Sequence, residues 1–136
     1  MKKIFSFVTF LIIIFSSVSK VHSIEADVFI QSVVNRAAKT LSGNLTKNER
    51  IEKLKDIARE TVDIDGIGRY TLGSYKNTIT DSQMIEYKIL FRQYFLKTFS
   101  SRLAEYSNPE IEVISKKKLN KNYTMVSSIL VSTEQR

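Results

Sequence analysis

Between Leu72 and Tyr106 the chain reads LGSYKNTITDSQMIEYKILFRQYFLKTFSSRLAEY, a stretch holding seven of the ten aromatic residues found after position 23. Thr80 followed by Gln83 is a capping-box pattern, which opens a helix that runs until Ser107-Asn108-Pro109 stops it. At ~1.5 Å per residue the segment from Asp81 to Tyr106 spans about 39 Å. A turn of about 100° per residue sets Met84, Tyr87, Phe91, Tyr94, Phe95 and Phe99 on one broad face, with Ile85, Ile89, Leu96 and Leu103 widening the apolar arc. Glu86, Gln93, Lys97 and Ser100 make the only clearly polar strip. A helix apolar around most of its circumference must be enclosed, and the enclosed space is either packed core or a ligand cavity. Periodicity leaves both open, and stripes of this kind more often fill cores.

The N-terminus bears on compartment. Lys2 and Lys3 precede an apolar run from Ile4 to Phe15, then serines, then Val21-His22-Ser23 with a small residue at a cleavage point. This is the three-part pattern of an export signal, and the run is shorter than the ~20 residues of a membrane span. Removing residues 1–23 from the 136 leaves 113, enough for one domain with a modest core. The formal charge falls from +7 to +4 because Lys2, Lys3 and Lys20 go with it. That mild basicity suits work near anionic membrane surfaces and is too weak and scattered for nucleic-acid binding.

The chain has no cysteine, and its one histidine, His22, lies in the signal region. The remaining domain therefore has no Ser-His-Asp or Cys-His nucleophile system and lacks the usual ligands of zinc. Asp63-Ile64-Asp65-Gly66 is out of register for a calcium loop, since the glycine is fourth rather than sixth. Asp63 or Asp65 is better read as the cap of a short helix through Leu72. No metal, cofactor or catalytic constellation is expected.

Further helices are predicted over Ile24–Leu41, ending near Gly43, and after Thr46, where Glu49 completes another capping box. Beyond Pro109 the period changes to two. Ile111 and Val113 form one strand, Lys116-Lys117-Lys118 through Asn122 a solvated turn, and Tyr123 to Val131 a second strand with Tyr123, Met125, Ile129 and Val131 facing one way. The fold class is α+β: N-terminal helices and one long central helix packed on an antiparallel β-sheet. Two strands leave that sheet incomplete, with an open edge.

Leu72-Gly73-Ser74-Tyr75, Thr80-Asp81-Ser82-Gln83, Phe91-Arg92-Gln93-Tyr94-Phe95 and Leu103-Ala104-Glu105-Tyr106 follow one another in an order and spacing that resembles the MlaC family. The resemblance covers most of residues 24–136. It implies a periplasmic phospholipid-binding shuttle of an ABC transport system that maintains outer-membrane lipid asymmetry. Such a shuttle carries glycerophospholipid between an outer-membrane MlaA-type lipoprotein complex and an inner-membrane MlaD-type transporter component. Acyl chains would lie between helices and sheet, with the head group in water. Lys76 stands where many family members carry a second aromatic residue, and the family domain continues past Arg136 with further strands. The resemblance is thus to a C-terminally truncated member.

Leu72, Gly73 and Tyr75 are carried over as the family motif, Gly73 permitting a tight turn. Tyr70, Phe91, Phe95, Phe99, Val113, Met125 and Ile129 are expected to line the pocket from their apolar character and facing. The alternative to a lipid carrier is an exported, non-catalytic interaction module that uses the open sheet edge.

Overall fold

The computed structural model describes residues 24–135. The export signal expected over residues 1–23 lies outside them, and so does Arg136.

Four helices are followed by one β-hairpin, an α+β arrangement with a two-stranded, open sheet. Helix α1 spans Ala26–Ser42, α2 Lys47–Thr61, α3 Ile64–Thr71 and α4 Asp81–Leu103, with a 3-10 turn over Gly73–Asn77. Their starts are set by short-range chemistry. The Thr46 hydroxyl accepts the Glu49 amide at 3.3 Å while the Glu49 carboxylate accepts the Thr46 amide at 2.8 Å. Thr80 and Gln83 repeat the reciprocal pair at 3.3 and 2.9 Å. Asp63 Oδ1 accepts the Gly66 amide at 2.9 Å and caps α3. The carboxylate fits because residue 66 has no side chain, since a Cβ there would lie 2.2 Å from Asp63 Oδ2.

Packing concentrates in two places. Leu41, Leu54 and Ala104 form one buried cluster, joined by Ile51, Leu103 and Tyr106, where α1, α2 and the end of α4 meet. Ala58, Ile64 and Leu96 form the other, joined by Val62, Phe91 and Phe95, where α2, α3 and α4 meet. Ser100 is buried between them and donates its hydroxyl proton to the Leu96 carbonyl, which spares it an unpaired polar atom inside the fold. Arg50 is also buried, yet among the described residues its Nε and Nη1 have no hydrogen-bond partner.

The hairpin departs from expectation in three respects. Strand β1 runs over Tyr106–Lys118, so α4 stops earlier than the sequence suggests and Pro109 lies inside a strand. The proline is tolerated because the ladder is irregular there: Asn108 has φ 47° and the register shifts between Ser107 and Glu110. Strand β2 spans Thr124–Gln135 and pairs antiparallel with β1. The lysines expected in the turn belong to the ladder, with Lys116, Lys117 and Lys118 opposite Val126, Met125 and Thr124. Finally, the long helix does not carry the sheet. Strand β1 packs chiefly on α1, where Ile111 and Val113 are half-buried and the Gln31 Oε1 accepts the Val113 amide at 3.2 Å, while α4 packs on α2 and α3.

Candidate functional site

On α4, Tyr87, Phe91, Phe95 and Phe99 recur every fourth residue, and their rings stack in a continuous ladder with centroids 5.7, 6.2 and 5.4 Å apart. Such i,i+4 neighbours lie one above the other on a helix, so the ladder follows from spacing alone. Its two ends differ. At the Tyr87 end α3 comes so close that a Cβ on Gly68 would lie 2.8 Å from Phe91 Cδ1. The Tyr87 hydroxyl donates to the Gly68 carbonyl at 3.0 Å and shares a 2.8 Å hydrogen bond with Thr71 Oγ1. At the other end Phe95 is half-buried and Phe99 is 37% exposed. The first three rings are thus half-buried, Phe91 and Phe95 against the second core cluster, and the last ring meets solvent. Tyr94 does not share this face and is 67% exposed, because each i,i+4 step also rotates the stripe by about 40°.

The other expected residues are dispersed. Leu72 is half-buried, while Tyr75 is exposed and Tyr70 is 85% exposed. Gly73 has φ +56°, with open space where a Cβ would be, so the glycine is required by the backbone and not by crowding. Val113 pairs with Ser128 and Glu112 with Ile129, which puts Val113 and Ile129 on opposite faces of the hairpin. Val113 faces α1, while Ile129 and Met125 sit on the exposed far face. Phe91, Phe95 and Phe99 are thus brought together by α4, and Val113 is kept apart from Met125 and Ile129.

Grooves on the surface lie elsewhere. One of about 440 Å³ follows Ile85, Ile89 and the Asp65–Arg92 ion pair of 2.7 Å, and another of about 520 Å³ runs along α1 beside Val28, Asn35 and Lys39. Neither is lined by any of the ten expected residues. Among the described residues no group of three or more His, Cys, Asp or Glu could hold a metal ion, and no helix is long and apolar enough to cross a membrane.

Gly68 is the residue that sequence reading missed. Its only signal is the Gly66-Ile67-Gly68 spacing inside a short helix, where glycine costs stability unless another element needs the room.

The MlaC protein family matches the chain over residues 30–136. No curated protein and no solved structure matches it.

Proposed function

Since the chain belongs to the MlaC family, we propose that it binds phospholipid in the periplasm as a component of the Mla transport system. The observation that carries this reading beyond family membership is the aromatic ladder. From Tyr87 to Phe99 it offers about 18 Å of continuous ring surface. The middle rings, Phe91 and Phe95, pack against the buried cluster of Ala58, Ile64 and Leu96, and the Phe99 end is open. Covering such a surface with an acyl chain gains about 25 cal/mol per Å² of apolar area and needs few polar contacts. The head group would stay in water. Phe91, Phe95 and Phe99 form the wall in this proposal, Met125 and Ile129 on the far sheet face would be a second apolar surface, and Tyr70, Leu72, Gly73 and Tyr75 would close the pocket mouth. Val113, turned towards α1, would support the hairpin.

In the finer form of the reading, the protein shuttles glycerophospholipid between an MlaA-type complex and an MlaD-type transporter component, after export through a cleaved signal peptide. It acts without catalysis and without a cofactor. Organic extraction and mass spectrometry of the purified protein test the cargo directly. Near-stoichiometric phospholipid is expected, with a marked drop in Phe99→Gln at unchanged far-UV dichroism. A lipid-free extract from well-folded protein sinks the carrier reading.

One observation favours a second reading, an interaction module. Strand β2 has no charged residue and no proline from Thr124 to Ser132, and its outer edge has no strand beside it among the described residues. A lipid-free protein that captures a partner strand at β2, with backbone amides there gaining exchange protection, would support it.

A further inference from the structure

The tip of the β-hairpin combines charge and apolar surface in a way the fold does not use. Lys117, Lys118 and Lys121 cluster around it, and among the described residues none has a carboxylate within ion-pair distance. Lys116 differs, because it is held by Glu25 and Asp27 at the start of α1. No acidic residue occurs from Val113 to Thr133, and the carboxylate that borders the tip, Glu25, shares a groove with Lys118 and Lys121 but is bonded to Lys116. Among the tip lysines stand Leu119, 58% exposed, and Tyr123, 67% exposed. Neither belongs to a core cluster.

Edge protection accounts for Lys117 and Lys118, which lie at the end of β1, but not for the rest of the tip. Lysines that guard a sheet edge belong on the strands, whereas Lys121 is in the turn, and an exposed leucine and tyrosine would invite association instead of discouraging it. The tip is also held in shape. The Asn120 Oδ1 accepts the amides of Asn122 and Tyr123 at 2.8 and 3.0 Å, and the Tyr123 carbonyl accepts the Leu119 amide at 2.9 Å. The backbone that carries the exposed apolar pair and Lys121 is therefore fixed in shape.

We propose that the hairpin tip docks the protein onto the surface of an anionic phospholipid bilayer. Lysine ammonium groups are drawn to a negative leaflet, tyrosine settles at the boundary between head groups and acyl chains, and leucine adds apolar burial. The contact is weak and reversible, as three lysines and one shallow apolar pair dictate. It is independent of whether the ladder holds lipid.

Flotation of the purified protein with vesicles tests it, using phosphatidylcholine alone or mixed with phosphatidylglycerol. Binding is expected only to the mixed vesicles and only at low salt, since screening weakens the attraction. K117Q/K118Q/K121Q should lower partitioning roughly 100-fold and Leu119→Ser with Tyr123→Ser roughly 10-fold. The control K39Q/K47Q/K53Q removes the same charge from α1 and α2 and should change partitioning less than about threefold. Lys121→Glu, placed in the turn, gives a variant whose pairing is undisturbed and should lose binding too. Equal loss in the control triple, retention in the tip triple, binding to neutral vesicles or no binding at all would each overturn the proposal. Phospholipid content by mass spectrometry is read separately, so a failed docking test and a failed carrier reading are told apart.

Discussion

In the helical half of the molecule, α2, α3 and α4 begin at side-chain caps and bury Leu54, Ala58, Ile64 and Leu96 against one another. In the other half, a hairpin of two long strands rests one face on α1 and leaves Met125, Ile129, Leu130 and Val131 about half exposed. The sequence is about as apolar in both places, so hydrophobicity does not set the difference. The number of neighbours does: a helix end is completed by residues three positions away, whereas a sheet needs further strands on both its edges and a layer on its second face. Local chemistry therefore completes the first half, and the second keeps surface available for lipid, membrane or partner.

The largest test of that contrast removes a side chain from each half. Leu54 is almost fully buried, so Leu54→Ala should cost about 3 kcal/mol through lost transfer energy and a residual cavity. Ile129→Ala removes nearly as much hydrocarbon from an exposed position and should cost well under about 1 kcal/mol. Urea unfolding followed by circular dichroism gives both values, and comparable losses would mean the hairpin is packed as firmly as the helices.

Next in size is Gly68→Val. The added atoms must displace the Phe91 ring, which is itself stacked between Tyr87 and Phe95, and overpacking of this kind costs about 2 kcal/mol. Near-ultraviolet dichroism of the tyrosine band should change with it, because Tyr87 is bonded to the same stretch of α3. An unchanged midpoint would show that α3 can move away from α4 freely.

What could be read in advance divides along the same line. Both capping boxes, the Asp63 cap, the aromatic ladder and the α+β class were legible, because each depends on residues within a turn of one another or on simple periodicity. Pro109 reads as a helix stop because proline rarely enters a strand, and it is the irregular ladder at Asn108 that makes room for it. The long helix is expected to carry the sheet because it holds more aromatic residues than any other element, but it is α1 that packs on β1. Lys116 reads as a turn residue because its carboxylate partners lie 91 and 89 positions away in the chain. Gly68 escaped for the same reason, its purpose being a ring on another helix.

Thr80→Ala tests the locally determined half more gently. It removes one side of the capping box on α4 and should cost about 1 kcal/mol, with fraying confined to the first turn. Hydrogen exchange should rise at Gln83 and Met84, whose amides bond Thr80, while β1 is unaffected. Faster exchange in β1 would show that the two halves unfold as one.

The smallest effect concerns the charged clamp that fastens the hairpin to α1. Lys116 Nζ lies 2.8 Å from Glu25 Oε2 and 2.9 Å from Asp27 Oδ1, and these hydrogen bonds, Glu25 first, raise the lysine above its ordinary pKa. The bond from Lys116 is the main cause holding the Asp27 carboxyl below its ordinary value, with burial opposing it. A lowered carboxylate contributes above its unfolded pKa and loses that contribution as pH falls through the folded value, so the clamp weakens below the usual aspartate range. A raised lysine contributes fully below its unfolded pKa and loses it as pH rises through the folded value, so the clamp weakens again above the usual lysine range. Lys116 and Glu25 are exposed and Asp27 is partly so, which screens the clamp, so global stability should hardly respond. The response expected is local: β1 amides such as Val113 lose protection at both pH extremes, and Lys116→Met removes the alkaline loss. Glu49 supplies the internal comparison in the packed half. Hydrogen bonds from the Thr46 amide and then its hydroxyl lower its pKa, so α2 has an acid loss and no alkaline counterpart from this pair. Protection factors of β1 and α2 that rise and fall together at alkaline pH would show that the clamp is not what holds the hairpin down.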